Sequence, residues 1–360
     1  MKKALIYPYD EEFLPILQHW KDIEKIEIEK IISPRGWGYT GKSYHICNKN
    51  FTVVSNYETE LEKVDIVWFV NAKIPLDFEK YMLPKIKQAC KEKKSVFISR
   101  KLTEKERQLI GDLEKEIIFF PDTGIEINYA KFKEEIFNFN TPIIFILGLT
   151  EYAGKSFVQL DLWHELKSRE YNIAFISTKK ECQILGGYSI PDYMFSTEIS
   201  EKEKILHFNH FVKSIEDQSK PELILINVPG ETVPISREFV GNFGMTAYEI
   251  SQAVRADCVI FNILYGKYSE NELIGIGKSV AHRMGVDIDY YNIADRFLEV
   301  ECTKNEGNYV TVQLAKEFVK ENMIRSEKIQ IYHLSEQQEI AKIADQIIDQ
   351  LARNAIVQPI

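Results

Sequence analysis

A chain of 360 residues with 45% apolar and 12% aromatic residues can build two separate cores, and its net charge of −9 comes from acidic and basic residues mixed along its length. No basic block of the kind that follows a phosphate backbone is present, so nucleic acid is disfavoured as a partner. No apolar run approaches the ~20 residues that span a bilayer. The five scattered cysteines (Cys47, Cys90, Cys182, Cys258, Cys302) form no C-x-x-C pair, which argues against zinc or iron–sulfur binding and suits a cytoplasmic protein.

In chain order, KALIYPY (3–9) reads as a first strand rather than a secretory signal, and 11–20 as a helix with Phe13, Leu14, Leu17 and Trp20 on one face. A strand at 26–32 leads into a glycine-rich loop. Strands at 51–54 and 64–70, a helix near 76–92, a strand at 95–99, a helix near 103–115 and a strand at 116–120 follow. This rhythm predicts an α/β domain, a Rossmann-like parallel sheet over residues 1–138.

Pro142, ahead of an apolar run, marks a plausible join to a second domain over 139–360. Its expected elements are strand 143–147, helix 155–169, strand 171–178, helix 200–217, strand 222–227 and helix 245–254. Strand 257–263, helix 270–284, strand 286–291, helix 312–322, strand 328–334 and helix 335–353 complete it. Again the pattern is that of a mainly parallel sheet covered by helices.

Two stretches compete as a phosphate loop. RGWGYTGKS (35–43) satisfies G-x-x-x-x-G-K-[ST] through Gly36, Gly41, Lys42 and Ser43, whereas GLTEYAGKS (148–156) has one residue too many between Gly148 and Gly154. The physical requirement is a buried strand, then a loop, then a helix whose first amides and dipole face the anion. After Ser43 the sequence YHICNKNFTVV is turn-like and then β-branched, so no helix starts there. Residues 35–43 are read either as a connection with Trp37 against the sheet or as a ligand loop of another type. The stretch 148–156 follows IIFIL and precedes FVQLDLWHELKSRE, where Phe157, Leu160, Trp163 and Leu166 recur at helical spacing. It is the expected site. A third GKS at Gly277–Ser279 lies within a predicted helix and is read as surface.

The spacing G-x-x-x-x-x-G-K-[ST] resembles the loop of dethiobiotin synthetase and cobyric acid synthase, in the MinD-like class of P-loop NTPases. That resemblance implies ATP or GTP with Mg²⁺, and a homodimer closing over the nucleotide. By it, Gly148 makes the first turn, Gly154 admits the phosphate, Lys155 bridges β- and γ-phosphates and Ser156 ligates the metal. Thr150, Glu151 and Phe157 complete the loop's candidate nucleotide-binding residues, and Gly230 offers an amide to the γ-phosphate.

A working site also needs an acid at the end of a neighbouring strand. The candidate stretch PELILINVPGE instead places Asn227 there. Asn227 is either a metal-water ligand without charge or a plain strand end. Glu231 or Asp192, with Glu198 as a further choice, would supply the missing charge, and Glu231 joins Lys155 as a candidate catalytic residue. Thr178, Lys179, Lys180 and Gly186-Gly187 are candidates for holding an acidic substrate, against a bland surface turn; Cys182 reads as an ordinary thiol. His207 and His210 share a helix face without a third ligand, and Asn262 and Asn292 are the positions available to read a base.

Across nearly the whole chain, the stretches ALIYPYDEEFLPIL, SPRGWGYTGK, GLTEYAGKSF, AFISTKKECQILGGYSIPDY and ILINVPGE resemble clostridial peptide-maturation-system proteins, accessories of radical-SAM enzymes that modify ribosomal peptides. The resemblance implies a pathway, with a precursor peptide or a radical-SAM enzyme as partner. The expected function is Mg-dependent NTP hydrolysis or phosphoryl transfer to a small acid. The alternative is a non-catalytic nucleotide-binding scaffold for a peptide-modifying enzyme.

Overall fold

Uninterrupted apolar runs make the central strands of this fold. The structure is a computed structural model that describes residues 1–125, 134–306 and 309–356. By packing, the chain divides into two units, Met1–Gly124 with Lys179–Ser189, and Ile125–Thr178 with Ile190–Ile360.

The first unit contains β1 (Lys2–Tyr7), α1 (Leu14–Gln18), β2 (Ile26–Ile32), β3 (Ser43–Ile46), β4 (Lys49–Val54), α2 (Tyr57–Leu61) and β5 (Ile66–Phe69). Then come α3 (Leu83–Lys91), β6 (Ser95–Ile98), α4 (Glu104–Ile110) and β7 (Ile117–Phe119). The sheet order is β3-β4-β2-β1-β5-β6-β7, parallel except for the β3–β4 hairpin. Tyr7, Tyr57, Leu61, Val67, Phe69 and Ile86 belong to one buried cluster under it. Sequence analysis missed β3 and α2. In the hairpin Ile46 pairs with Lys49, so Cys47 and Asn48 form a two-residue turn, both at positive φ (48° and 65°). That is the backbone a right-twisted hairpin favours.

The second unit opens with β8 (Ile143–Gly148), buried at every position as a central parallel strand requires. It continues with α5 (Lys155–Ser168) and β9 (Ile173–Ser177). The chain then gives the short β10 (Tyr188–Ser189) to the first unit before α6 (Glu201–Ser219), β11 (Leu223–Asn227), α7 (Met245–Ala253) and β12 (Cys258–Tyr265). The remainder is α8 (Glu270–Met284), β13 (Tyr290–Leu298), α9 (Val300–Glu306), β14 (Thr311–Gln313), α10 (Lys316–Asn322), β15 (Gln330–Tyr332) and α11 (Gln337–Ile356).

Within this unit the strands run β9-β11-β8-β12-β13-β14, with β15 also pairing β13; the β13–β14 pair is antiparallel and the others parallel. A strand was expected at 286–291, yet β13 begins only at Tyr290. Asp289 is the cause: its carboxylate accepts from the Val259 amide (2.8 Å) and from Gln350 Nε2 (2.6 Å), so a side chain takes the Val259 amide just ahead of the strand. The expected helix 312–322 starts late as well, because Thr311–Gln313 pairs with β13 instead. Among the described residues no helix is long and apolar enough to cross a membrane. All five cysteines are free.

Candidate phosphate-binding site

The flawless motif leads into a strand rather than a helix. Ser43 opens β3, its hydroxyl 2.9 Å from Thr52 Oγ1, and no helix follows. The amides of Trp37, Gly41 and Lys42 donate to Pro34, Val53 and Tyr39 carbonyls at 3.3, 2.9 and 3.0 Å. Lys42 pairs with Glu11 (3.4 Å) and lies over the Tyr39 ring. Three of the loop's amides are therefore already engaged by the protein.

The imperfect motif does have the required shape. Central β8 ends at Gly148, six residues turn, and α5 starts at Lys155 with Gly154 as its N-cap in the left-handed region (φ 78°). No side chain caps this helix. Among the described residues, no carbonyl accepts from the amides of Ala153, Gly154, Lys155 or Ser156. Successive free amides at a helix head, with the dipole behind them, make a cradle for anionic oxygens. The loop is anchored from both sides. The Leu149 amide donates to the Asn262 carbonyl (2.8 Å), and Thr232 donates through both its amide (3.0 Å) and hydroxyl (2.8 Å) to the Gly148 carbonyl.

Lys155 is buried and folds back over the loop, its ammonium donating to the carbonyls of Val228 (2.8 Å) and Gly230. Burial pushes its pKa down to about 8, against the charges of Glu151 and Glu231, which act the other way. Gly148 makes room for this chain, since a Cβ there would stand 3.0 Å from Lys155 Cδ. Ser156 Oγ accepts from Asn227 Nδ2 at 3.3 Å. The Thr150 hydroxyl is buried without a partner among the described residues, and so is Asn227 Oδ1. Buried polar atoms are nearly always paired, so orphans at a helix head mark a place for a ligand or its waters.

Gly230 follows β11 with φ 70° and open space on its Cβ side. Glu231 is buried beside it and accepts from the Asn242 amide. Gly241 and Gly244 fit only as glycines: a Cβ on either would lie 2.0 Å from Glu231 Oε1 or from the Thr232 carbonyl. Glu151 is exposed on the loop, and Phe157 is half-buried, its amide donating to the Gly154 carbonyl (3.0 Å). Asp192 is half-buried at the head of the short turn Asp192–Phe195 and Glu198 is exposed; the contact joining Ser156 to Asn227 involves neither.

Several expectations need correction. Asn262 and Asn292 are not positioned to read a base. Asn262 Nδ2 donates to the Leu147 carbonyl (2.9 Å), its oxygen accepts from Asn292 Nδ2 (2.8 Å), and Asn292 Oδ1 accepts from the Leu334 amide (2.8 Å). Lys179 and Lys180 are not poised for an acidic substrate either: they pair with Glu12 and with Asp122 (3.2 Å) inside the first unit. His207 and His210 do lie three apart on one helix, as read, His207 near Tyr193 and His210 Nε2 at the Glu135 carbonyl (3.0 Å). Sequence analysis missed Gln159, Thr232 and the glycines Gly241 and Gly244. None sits in a motif; only the close contacts reveal them.

No protein-family model matches the chain, and no curated protein matches it in sequence. In shape the chain is similar to a DUF1611 family protein from Anabaena variabilis, at 13% identity and a TM-score of 0.55 over 81% of this chain and 88% of that one. That likeness shows a shared α/β fold. Weaker likenesses are to a plasmid partition protein from Borrelia burgdorferi (14% identity, TM-score 0.37, 59% of this chain and 99% of the other) and to the MinD cell division protein of Aquifex aeolicus (13% identity, TM-score 0.29, 61% and 99%).

Proposed function

We propose that residues 148–156 bind the phosphates of ATP or GTP with Mg²⁺, and that the protein hydrolyses the nucleotide or passes its γ-phosphoryl group to a small acid. The observation that carries this reading is the row of unengaged amides from Ala153 to Ser156 at the head of α5. In this reading these amides and Lys155 hold the phosphate oxygens, with Thr150, Glu151, Phe157 and Gly230 at the rim. Lys155 exchanges the Val228 and Gly230 carbonyls for phosphate, gaining a charged partner.

The donor set fits a magnesium ion bound with the nucleotide. Ser156 Oγ lies beside Asn227, whose buried Oδ1 lacks a partner among the described residues, and Mg²⁺ usually keeps several waters that such an oxygen can receive. Magnesium, when bound, neutralises charge on the transferring phosphate. Glu231, whose charge already acts on Lys155, orients the attacking group; Asp192 is a further candidate near the metal. Catalysis by this chain is then positioning and charge neutralisation.

Titration with a fluorescent ATP analogue tests the reading. Lys155→Ala is expected to abolish binding and Lys42→Ala to leave it intact; the reverse pattern would move the site to residues 35–43. The resemblance of several stretches to peptide-maturation proteins supports a role in ribosomal-peptide modification, with a precursor peptide or radical-SAM enzyme as partner. Asn227 favours a second reading, a nucleotide-binding scaffold without turnover, because it brings no charge to the metal. Absence of ADP or GDP release alongside tight nucleotide binding would select it.

A further inference from the structure

Two amide side chains near the head of α5 are half satisfied. Gln159 lies on α5 three residues after Ser156, hence on the same helix face. It is fully buried; its Nε2 donates to the carbonyls of Ile176 (2.8 Å) and Leu225 (3.4 Å), while Oε1 has no partner among the described residues. Asn227 repeats the pattern, with Nδ2 on Ser156 and Oδ1 unpartnered. Leu225 and Asn227 are two apart on β11 and share one face of the sheet. Gln159 thus bonds the main chain of the strand that carries Asn227, and each of the two amides keeps one buried oxygen without a partner among the described residues.

We propose that Gln159 Oε1 and Asn227 Oδ1 together accept hydrogen bonds from the waters of a metal ion held at Ser156, so that a neutral amide pair stands where an acid was expected. Gln159 is a positioning residue here, and the inference rests on the reading of 148–156 as a Mg-nucleotide site. Each oxygen's direction is fixed by the bonds its own NH₂ group makes. Buried acceptors of this kind are served by water that needs further polar neighbours. Neither oxygen carries charge, so in this arrangement the attraction for the cation comes mainly from the nucleotide's phosphates. The chain alone then binds the ion poorly, and metal and nucleotide enter as a pair.

The test is equilibrium titration with a fluorescent ATP analogue in magnesium and in EDTA, with Mn²⁺ binding to the nucleotide-free chain followed by electron paramagnetic resonance. Wild type is expected to bind the nucleotide more tightly in magnesium and to show little free-chain Mn²⁺ binding. Gln159→Leu should shrink the magnesium enhancement by about tenfold, the scale on which metal-orienting partners act, while affinity in EDTA stays within about twofold. Asn227→Asp should raise the enhancement and bring Mn²⁺ onto the free chain. If Gln159→Leu does not fold by circular dichroism, Gln159→Glu replaces it and should enlarge the enhancement.

An unchanged enhancement in a folded Gln159 variant overturns the inference and leaves its oxygen to a structural water. Equal wild-type affinity in magnesium and EDTA also overturns it, while the phosphate site survives. Absence of nucleotide binding in both conditions overturns the site and the inference together.

Discussion

Gly148 and Lys155 are fitted to each other: a methyl group on Gly148 would stand 3.0 Å from Lys155 Cδ and 3.3 Å from its Cγ. The first glycine of the loop therefore secures the path of the lysine along the floor of the site. Gly148→Ala should cost about 1–3 kcal/mol by overpacking and weaken nucleotide binding by displacing the ammonium. Urea unfolding and the nucleotide titration read the two effects separately. An alanine variant with wild-type affinity would detach the lysine from this glycine.

Lys155 also sets a pH dependence. Burial pushes it down to about 8 from an ordinary 10.5. Between those values the unfolded chain holds a proton that the folded chain has lost, so the stability of the nucleotide-free protein should rise with pH across that window. Lys155→Met should remove the rise. Phosphate favours the charged lysine, so nucleotide affinity should fall as pH climbs past 8. At pH 8.5, binding should take up a proton, visible as a difference in calorimetric heat between two buffers of unlike ionisation enthalpy.

The segment after Glu231 depends on its glycines. Gly241 (φ 53°) and Gly244 (φ 70°) combine a left-handed backbone with a Cβ position 2.0 Å from Glu231 or Thr232 atoms. Alanine at either should destabilise by at least ~1 kcal/mol, through strain in the backbone and the clash together. Faster trypsin cleavage at the exposed Arg237 would report the loosening locally. Unaltered cleavage and an unaltered melting temperature would count against so tight a fit.

Glu181 ties the returning segment into the first unit, accepting from the Asn71 amide (3.0 Å) and the Ser99 hydroxyl (2.8 Å). Glu181→Ala leaves both donors without this partner and should cost about 1–3 kcal/mol. Nucleotide affinity in the second unit should not change. A lost affinity with stability intact would instead return residues 179–187 to substrate binding.

The strand–turn–helix at 148–156 was legible because its signal is physical and local: an all-apolar strand, glycines at a turn, then helical periodicity through Trp163 and Leu166. The same test rejected the better match at 35–43, where the structure has a hairpin turning at Cys47 and Asn48. The hairpin itself escaped notice because neither turn residue is glycine. The late start of β13 depends on the Asp289 bond to Val259, thirty residues away, which no window along the chain can see. Gln159 escaped for a similar reason; it looks like one more polar residue on a helix until its burial is known.

The return of Lys179–Ser189 to the first unit has a bearing on synthesis. When Gly124 leaves the ribosome, the sheet of that unit has all seven of its ordered strands in hand, yet the carboxylate that closes over Asn71 and Ser99 is still dozens of codons away. The nascent chain must make β8, α5 and β9 before the earlier unit can be finished. Gene fragments cut between the units would therefore yield an unclosed first half, and separating the two halves requires grafting that eleven-residue piece onto the shorter product.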